Sequence, residues 1–304
     1  MERRTFFSAG TATFAAGLTT LGQAREESSP QAPPFTLKYA PHFRMFRHSA
    51  PGGLLDELRF AHDHGFRAWE DNGMSARPVE DQKAIADLME KLGMEMGVIS
   101  AKTGIGELNF ASRDREARQT VLDNIEAAVE TARRVNAGYM TLVSGQVDPR
   151  WPRDIQMTNC IELLREAVEI VAPHDITMVM EPLNRFTNHP GSFLQTVTEG
   201  YLVCTAVDHP NCKILYDIYH QQIAEGNLIP LFDLCRDQIG YVQVGDNPGR
   251  KEPGTGEINY AKVFAHLHEQ GYDGIVGMEH GNAGPGEEGE RALIEAYRKV
   301  DPVA

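Results

Sequence analysis

Four polar residues close four apolar runs of this chain: Glu181 after ITMVM, Asp217 after KILY, Gln243 within GYVQVGD and Glu279 after GIVGM. Three carboxylates and an amide offer only oxygen donors, which suits a hard divalent cation such as Mg²⁺ or Mn²⁺. Zinc suits them less well, because no clear histidine or cysteine set accompanies them. Brought together, the three acids would repel one another, and a cation converts that repulsion into binding. An ion held in this way assists proton transfer on a small hydroxy-carbonyl compound. Any one of these acids alone reads as a capped or salt-bridged loop-entry charge. Four of them at the ends of successive apolar runs read as a site.

Two neighbours extend the pattern. His220 follows Asp217 by three residues in YDIYHQQ, where a histidine can hydrogen-bond a substrate oxygen at neutral pH. Arg250 lies in the loop DNPGRKEPGTGEIN, and its guanidinium can grip a substrate carboxylate through two parallel hydrogen bonds. The competing reading of Arg250 is a salt bridge with Asp246 or Glu252. Glu257 is expected to cap the helix that follows.

These residues need a scaffold that gathers strand ends. Short apolar runs at 36–40, 68–70, 95–100, 139–143, 176–181, 213–217, 241–245 and 274–279 alternate with amphipathic segments such as 54–64, 78–92 and 115–135. In the second of these, Val79, Ala86 and Met89 are expected on the apolar side. Gly65, Gly93 and Gly138 are expected to cap helices before the next strand. Strands alternating with helices imply a parallel sheet, and this number of units predicts a closed (β/α)8 TIM barrel. The runner-up is an open doubly wound sheet, but no glycine-rich phosphate fingerprint follows the first strand. Along a strand, Gln243 shares its face with Tyr241, and Glu279 shares one with Gly277. A carboxylate turned toward the helices would be costly to bury unpaired, so all four polar termini are assigned to the axial mouth. Glu70, in WEDNG, is expected at the same mouth, holding a substrate hydroxyl. Lys102, after the third strand, is a further substrate-binding candidate, and Trp69 is expected in the core.

The chain has 304 residues and a formal net charge of −14. That field repels nucleic acid and anionic membrane faces. Cys160, Cys204, Cys212 and Cys235 show no paired metal spacing and read as small apolar fillers. At the N-terminus, Arg3 and Arg4 precede Phe6 and Phe7 and a mild apolar run, with Gly22, Gln23 and Ala24 around a cleavage point. This resembles a twin-arginine export signal, with a disordered basic tail as the alternative. The expected organisation is a leader at 1–24, a linker at 25–34 and one catalytic barrel at 35–304. The leader implies secretion machinery as a partner, periplasmic location and no stable membrane insertion after processing. Without a functional leader, the protein is expected in the cytoplasm. A homo-oligomer is compatible with these features.

EPLN at 181–184, YDIYH at 216–220, GDNPGRKEPGTGEINY at 245–260 and GYDGIVGMEH at 271–280 resemble the hydroxypyruvate isomerase branch of the xylose-isomerase-like barrel superfamily, which also contains ketose 3-epimerases. The resemblance implies Glu181, Asp217, Gln243 and Glu279 as metal ligands, Glu181 and Glu279 as the acid/base pair, and His220 and Arg250 as substrate contacts. It implies interconversion of hydroxypyruvate and tartronate semialdehyde through an enediolate. Epimerases of the superfamily carry histidine at the position of Gln243 and glutamate near Thr187, so both departures favour the isomerase branch. Three other readings remain: a ketose 3-epimerase, a non-catalytic exported binding protein for a small ligand, and, remotely, a metal-dependent nuclease disfavoured by the net charge. Which glutamate removes the proton stays open.

Overall fold

The computed structural model describes Met1 and residues 32–303. Apart from Met1, the expected leader lies outside the described residues, as does most of the linker. The linker's last residues already belong to the barrel. Ala32 N donates to Asp63 O at 2.8 Å, and Pro33 O accepts from Arg298 Nη2 at 2.7 Å.

The strands are β1 (Lys38–Ala40), β2 (Ala68–Trp69), β3 (Glu95–Met96), β4 (Val98–Ser100), β5 (Tyr139–Val143), β6 (Thr177–Glu181), β7 (Cys212–Asp217), β8 (Ile239–Gln243) and β9 (Ile275–Gly277). Among the described residues, every pairing between these strands is parallel. One sheet runs β1-β9-β8-β7-β6-β5-β4, and β2 pairs with β3. Two backbone bonds bridge the remaining gaps, Glu70 N to Pro41 O at 3.0 Å and Asp71 N to Val98 O at 3.2 Å. The result is the expected (β/α)8 barrel, with its third position split at Gly97. A Cβ on Gly97 would stand 2.3 Å from the Tyr241 hydroxyl, so only glycine lets this strand pass so close to the axis.

The α-helices among the described residues are α1 (Leu54–Asp63), α2 (Val79–Leu92), α3 (Arg115–Val135), α4 (Arg153–Val171), α5 (Val197–Val207), α6 (Ile218–Ala224), α7 (Leu228–Cys235), α8 (Tyr260–Glu269) and α9 (Gly286–Val300). The main apolar core includes residues of the strands and of the helices around them. Ala40, Ala68, Val98, Val179, Leu215, Tyr241 and Ile275 form a second cluster, drawn from seven different strands. This cluster plugs the barrel axis beneath the mouth, as inward layers of such barrels do. Parallel strands covered on both faces explain why their sequences read as continuous apolar runs.

Three local expectations change. Val79 is exposed, and α2 buries Gln82, Ile85, Ala86 and Met89. The left-handed cap of α3 is Asn136 (φ 55°) instead of Gly138, because asparagine tolerates that conformation. Asn259 caps α8 by accepting from Lys262 N, while the Glu257 carboxylate accepts from Gln222 and Asn247. Gly93, at φ 64°, does cap α2. All four cysteines are buried free thiols, and Trp69 is fully buried. Among the described residues, no helix is long and apolar enough to cross a membrane.

Candidate active site

Strand register brings the predicted donors to one end of the barrel. Glu181 ends β6, Asp217 ends β7 and Gln243 ends β8. Asp217 lies directly opposite Gln243, and Gln243 opposite Gly277 of β9, two residues before Glu279. Asp217 is also the N-cap of α6. Its Oδ1 accepts from Tyr219 N at 2.8 Å and His220 N at 3.2 Å, leaving Oδ2 for the mouth. The cap fixes the first turn of α6 and so carries His220 over the site.

Glu181, Asp217 and His220 are buried, and each offers a ligand atom within 4.8 Å of the other two. His220 Nε2 stands 3.7 Å from Glu181 Oε1 and 3.6 Å from Asp217 Oδ2. Among the described residues, two buried polar atoms here, His220 Nε2 and Gln243 Oε1, have no hydrogen-bond partner. Buried polar atoms without partners are rare in folded proteins, and a water or an ion can complete the bonding of these two. The two acids and the amide oxygen are hard donors, so this end of the barrel fits a divalent cation.

Asn184 decides the tautomer of His220. Its amide oxygen accepts from Thr187 N at 3.0 Å and Asn188 N at 3.2 Å, which points its NH₂ toward the imidazole. That NH₂ lies 2.6 Å from His220 Nδ1, and the Asn184 backbone N–H lies 3.3 Å from the same atom. With two donors aimed at it, Nδ1 is an acceptor, and the ring proton resides on Nε2. Burial pushes His220 down to about 4, against the opposing pull of Asp217, so the ring is neutral at pH 7. His220 therefore presents an N–H to the pocket, not a lone pair to a metal.

The loop after β8 is organised by one buried carboxylate. Asp246 accepts from the backbone N–H groups of Asn247, Gly254, Gly256 and Ile258, and its carbonyl accepts from Arg250 N at 2.8 Å. Gly249 at φ 105° and Arg250 at φ 51° make the turn that aims the guanidinium back over the barrel. Arg250 Nη2 donates to Asp217 Oδ2 at 3.0 Å and Glu279 Oε2 at 2.5 Å, and Nε donates to Glu279 O at 3.1 Å. The fork expected for a substrate carboxylate is thus engaged with two site acids, and neither Asp246 nor Glu252 is its ion-pair partner.

Burial raises Glu181 well above the usual carboxylate range, with Glu279 and Asp217 adding to the shift and Arg250 opposing it. Desolvation pushes Glu279 up to about 7, against the pull of Arg250 and with further upward push from Asp217. A carboxyl group held near neutrality, as Glu279 is, suits general acid/base work.

Glu70 lines a cavity together with Asn72 and Glu279, at the end of the barrel where it was expected. It is buried, and its carboxylate accepts from Tyr241 OH at 3.0 Å and from Gln243 Nε2 at 3.3 Å. Lys102 is exposed, and only its backbone is tied, to Ser100 and Asn124. Two site residues escaped the sequence reading: Asn184 and Asn72, whose amide donates to Glu279 Oε1 at 3.1 Å. Both stand inside motifs already singled out, EPLN and WEDNG, and their closeness to Glu181 and Glu70 was the available signal.

The family pattern described as Xylose isomerase-like TIM barrel matches residues 58–300, and the chain belongs to that family. The chain is 29% identical to the 2-oxo-tetronate isomerase of Pectobacterium atrosepticum, over 83% of this chain and 95% of that protein. It is 30% identical to the putative hydroxypyruvate isomerase of Homo sapiens, over 78% of this chain and 87% of that protein. A crystal structure described as AP endonuclease, family 2, from Brucella melitensis superposes with a TM-score of 0.72 at 29% identity, covering 83% of this chain and 96% of that one. With the acid cluster at its mouth, the chain is an isomerase-like enzyme.

Proposed function

We propose that this enzyme is a divalent-metal-dependent isomerase that moves a carbonyl to the neighbouring carbon of a small hydroxy-carbonyl acid, with hydroxypyruvate and tartronate semialdehyde as the pair. The observation that carries this reading is the placement of two acids, Glu181 and Glu279, on either side of the Asp217–Gln243 strand ends. Glu181, Asp217, Glu279 and the free Gln243 oxygen would hold Mg²⁺ or Mn²⁺. When bound, the ion polarises the substrate carbonyl and stabilises charge on its oxygen.

The protein's own residues supply the proton movements. One of Glu181 and Glu279 removes a proton from carbon, and the same or the other glutamate returns one to the adjacent carbon, through an enediolate. The His220 Nε2–H, held in that tautomer by Asn184, donates to the oxygen that gains charge. Arg250 holds Asp217 and Glu279 in place and draws Glu279 toward its ionised form. A substrate carboxylate can approach Arg250 by exchanging for one of these partners or by its remaining NH₂.

The 2-oxo-tetronate isomerase among the relatives supports a second substrate of the same reaction class, a four-carbon 2-oxo acid. A net charge of −14 opposes a nuclease reading. An NMR screen in D₂O with added Mn²⁺ or Mg²⁺ tests the proposal. Deuterium should enter carbon of hydroxypyruvate or of 2-oxo-tetronate, with migration of the carbonyl. Inversion without migration would identify an epimerase, and binding with no exchange would identify a binding protein. We further propose the periplasm as its location, reached through residues 1–24 as a cleaved leader. Fractionation of the producing cell tests this, and full-length protein confined to the cytoplasm would refute it.

A further inference from the structure

A buried chain of three polar side chains lies beneath the mouth. The Tyr241 hydroxyl donates to Glu70 Oε2 at 3.0 Å, and Gln243 Nε2 lies 3.3 Å from each oxygen of Glu70. All three residues are at most 2% exposed, in a barrel otherwise packed with apolar side chains. Space for the chain is built into the backbone. A Cβ on Gly277 would stand 2.0 Å from Glu70 Oε2, and one on Gly97 would stand 2.3 Å from the Tyr241 hydroxyl. Two strands thus forgo a side chain so that one carboxylate can reach one amide.

The consequence falls on the amide's other end. Gln243 Nε2 donates to both Glu70 oxygens, and an ionised Glu70, which only accepts hydrogen bonds, can meet Gln243 only through that NH₂. The amide oxygen must then point away from Glu70, and it is the buried acceptor that has no partner. An unconstrained glutamine can turn over and offer NH₂, which repels a cation. We infer that Glu70 is a positioning residue that fixes the Gln243 amide with its oxygen toward the cation, and that Tyr241 in turn fixes Glu70. This rests on the cation-site reading above.

The test is the affinity of the full-length protein for Mn²⁺ without substrate, measured by calorimetry or by electron paramagnetic resonance of free Mn²⁺. E70Q keeps the shape at residue 70 but adds an NH₂, so the Gln243 amide is satisfied in either orientation. Partners behind a metal ligand typically change affinity by about 10–100-fold, and E70Q should weaken Mn²⁺ binding by that factor. The exchanged pair E70Q/Q243E conserves total charge. Its carboxylate at 243 accepts from the amide at 70 with one oxygen and offers the other to the ion. Binding should return to within about threefold of wild type, the non-additivity expected of coupled neighbours. A merely structural role for Glu70 predicts no such recovery. Equal Mn²⁺ affinity in E70Q and wild type would overturn the inference, as would a folded double variant no tighter than E70Q. Wild type that binds no Mn²⁺ would instead overturn the cation site itself. Should E70Q fail to fold, Y241F removes only the hydroxyl that holds Glu70. A roughly threefold or greater weakening is then expected, and unchanged affinity contradicts the inference.

Discussion

The Asn184 side chain meets the His220 ring at 2.6 Å, with its NH₂ directed at Nδ1, and so decides which ring nitrogen faces the pocket. N184D preserves an acceptor for Thr187 N and Asn188 N but replaces the NH₂ with a second acceptor. Nδ1 should then take the ring proton, leaving a lone pair on Nε2 where the N–H had been. ¹⁵N NMR of the imidazole should report the exchanged tautomer. Turnover should fall about a hundredfold, the scale of losing one donor to a developing oxyanion. An unchanged tautomer, or full turnover with the tautomer exchanged, would contradict the assigned role.

The acid/base assignment is tested by E181Q and E279Q. Each should lose about two to four orders of magnitude in turnover, as expected when a general acid or base is replaced by an amide. Single-turnover measurements in both carbonyl-migration directions would show which glutamate acts first. Activity within threefold of wild type in both variants would remove them from the mechanism.

The upward shift of Glu279 makes a prediction about pH. Its pKa rises from an ordinary value of 4.5 to about 7, so the folded protein retains a proton that the unfolded chain releases over that interval. Stabilisation from this group is complete below about pH 4.5 and is lost as pH rises through 7. In metal-stripped protein, the melting temperature of wild type relative to E279Q should therefore fall across that window. Mn²⁺ should flatten the difference, because a cation favours the carboxylate. A difference that rises with pH would contradict the shift.

G277A places a methyl 2.0 Å from Glu70 Oε2 within a packed barrel. Overpacking of this kind costs about 1–3 kcal/mol, to be read from urea denaturation. A variant as stable as wild type would show that Glu70 has room to move.

The four polar strand ends were legible because parallel strands covered on both faces leave apolar runs, and a polar terminus stands out against them. The barrel followed from the alternation of those runs with helical segments. The need for glycine at Gly97 was not legible, because a Cβ there would meet the Tyr241 hydroxyl, which belongs to a distant strand. The partners of Arg250 were misjudged for the same reason. Asp246 and Glu252 are close in sequence, but Asp246 is occupied by backbone N–H groups, and the guanidinium is aimed at acids on two other strand ends. Glu70 was placed at the correct end of the barrel, but the side chains that tie it down were not legible. Its actual partners, Tyr241 and Gln243, lie more than 170 residues away.

Anomalous diffraction from a Mn²⁺-soaked crystal of the full chain tests the central claim most directly. One peak should lie about 2.0–2.3 Å from a carboxylate oxygen of each of Glu181, Asp217 and Glu279 and from the Gln243 amide oxygen, the range for hard divalent ions on oxygen. A peak bonded to His220 Nε2 in place of Gln243, or a mouth with no peak at saturating Mn²⁺, would contradict it.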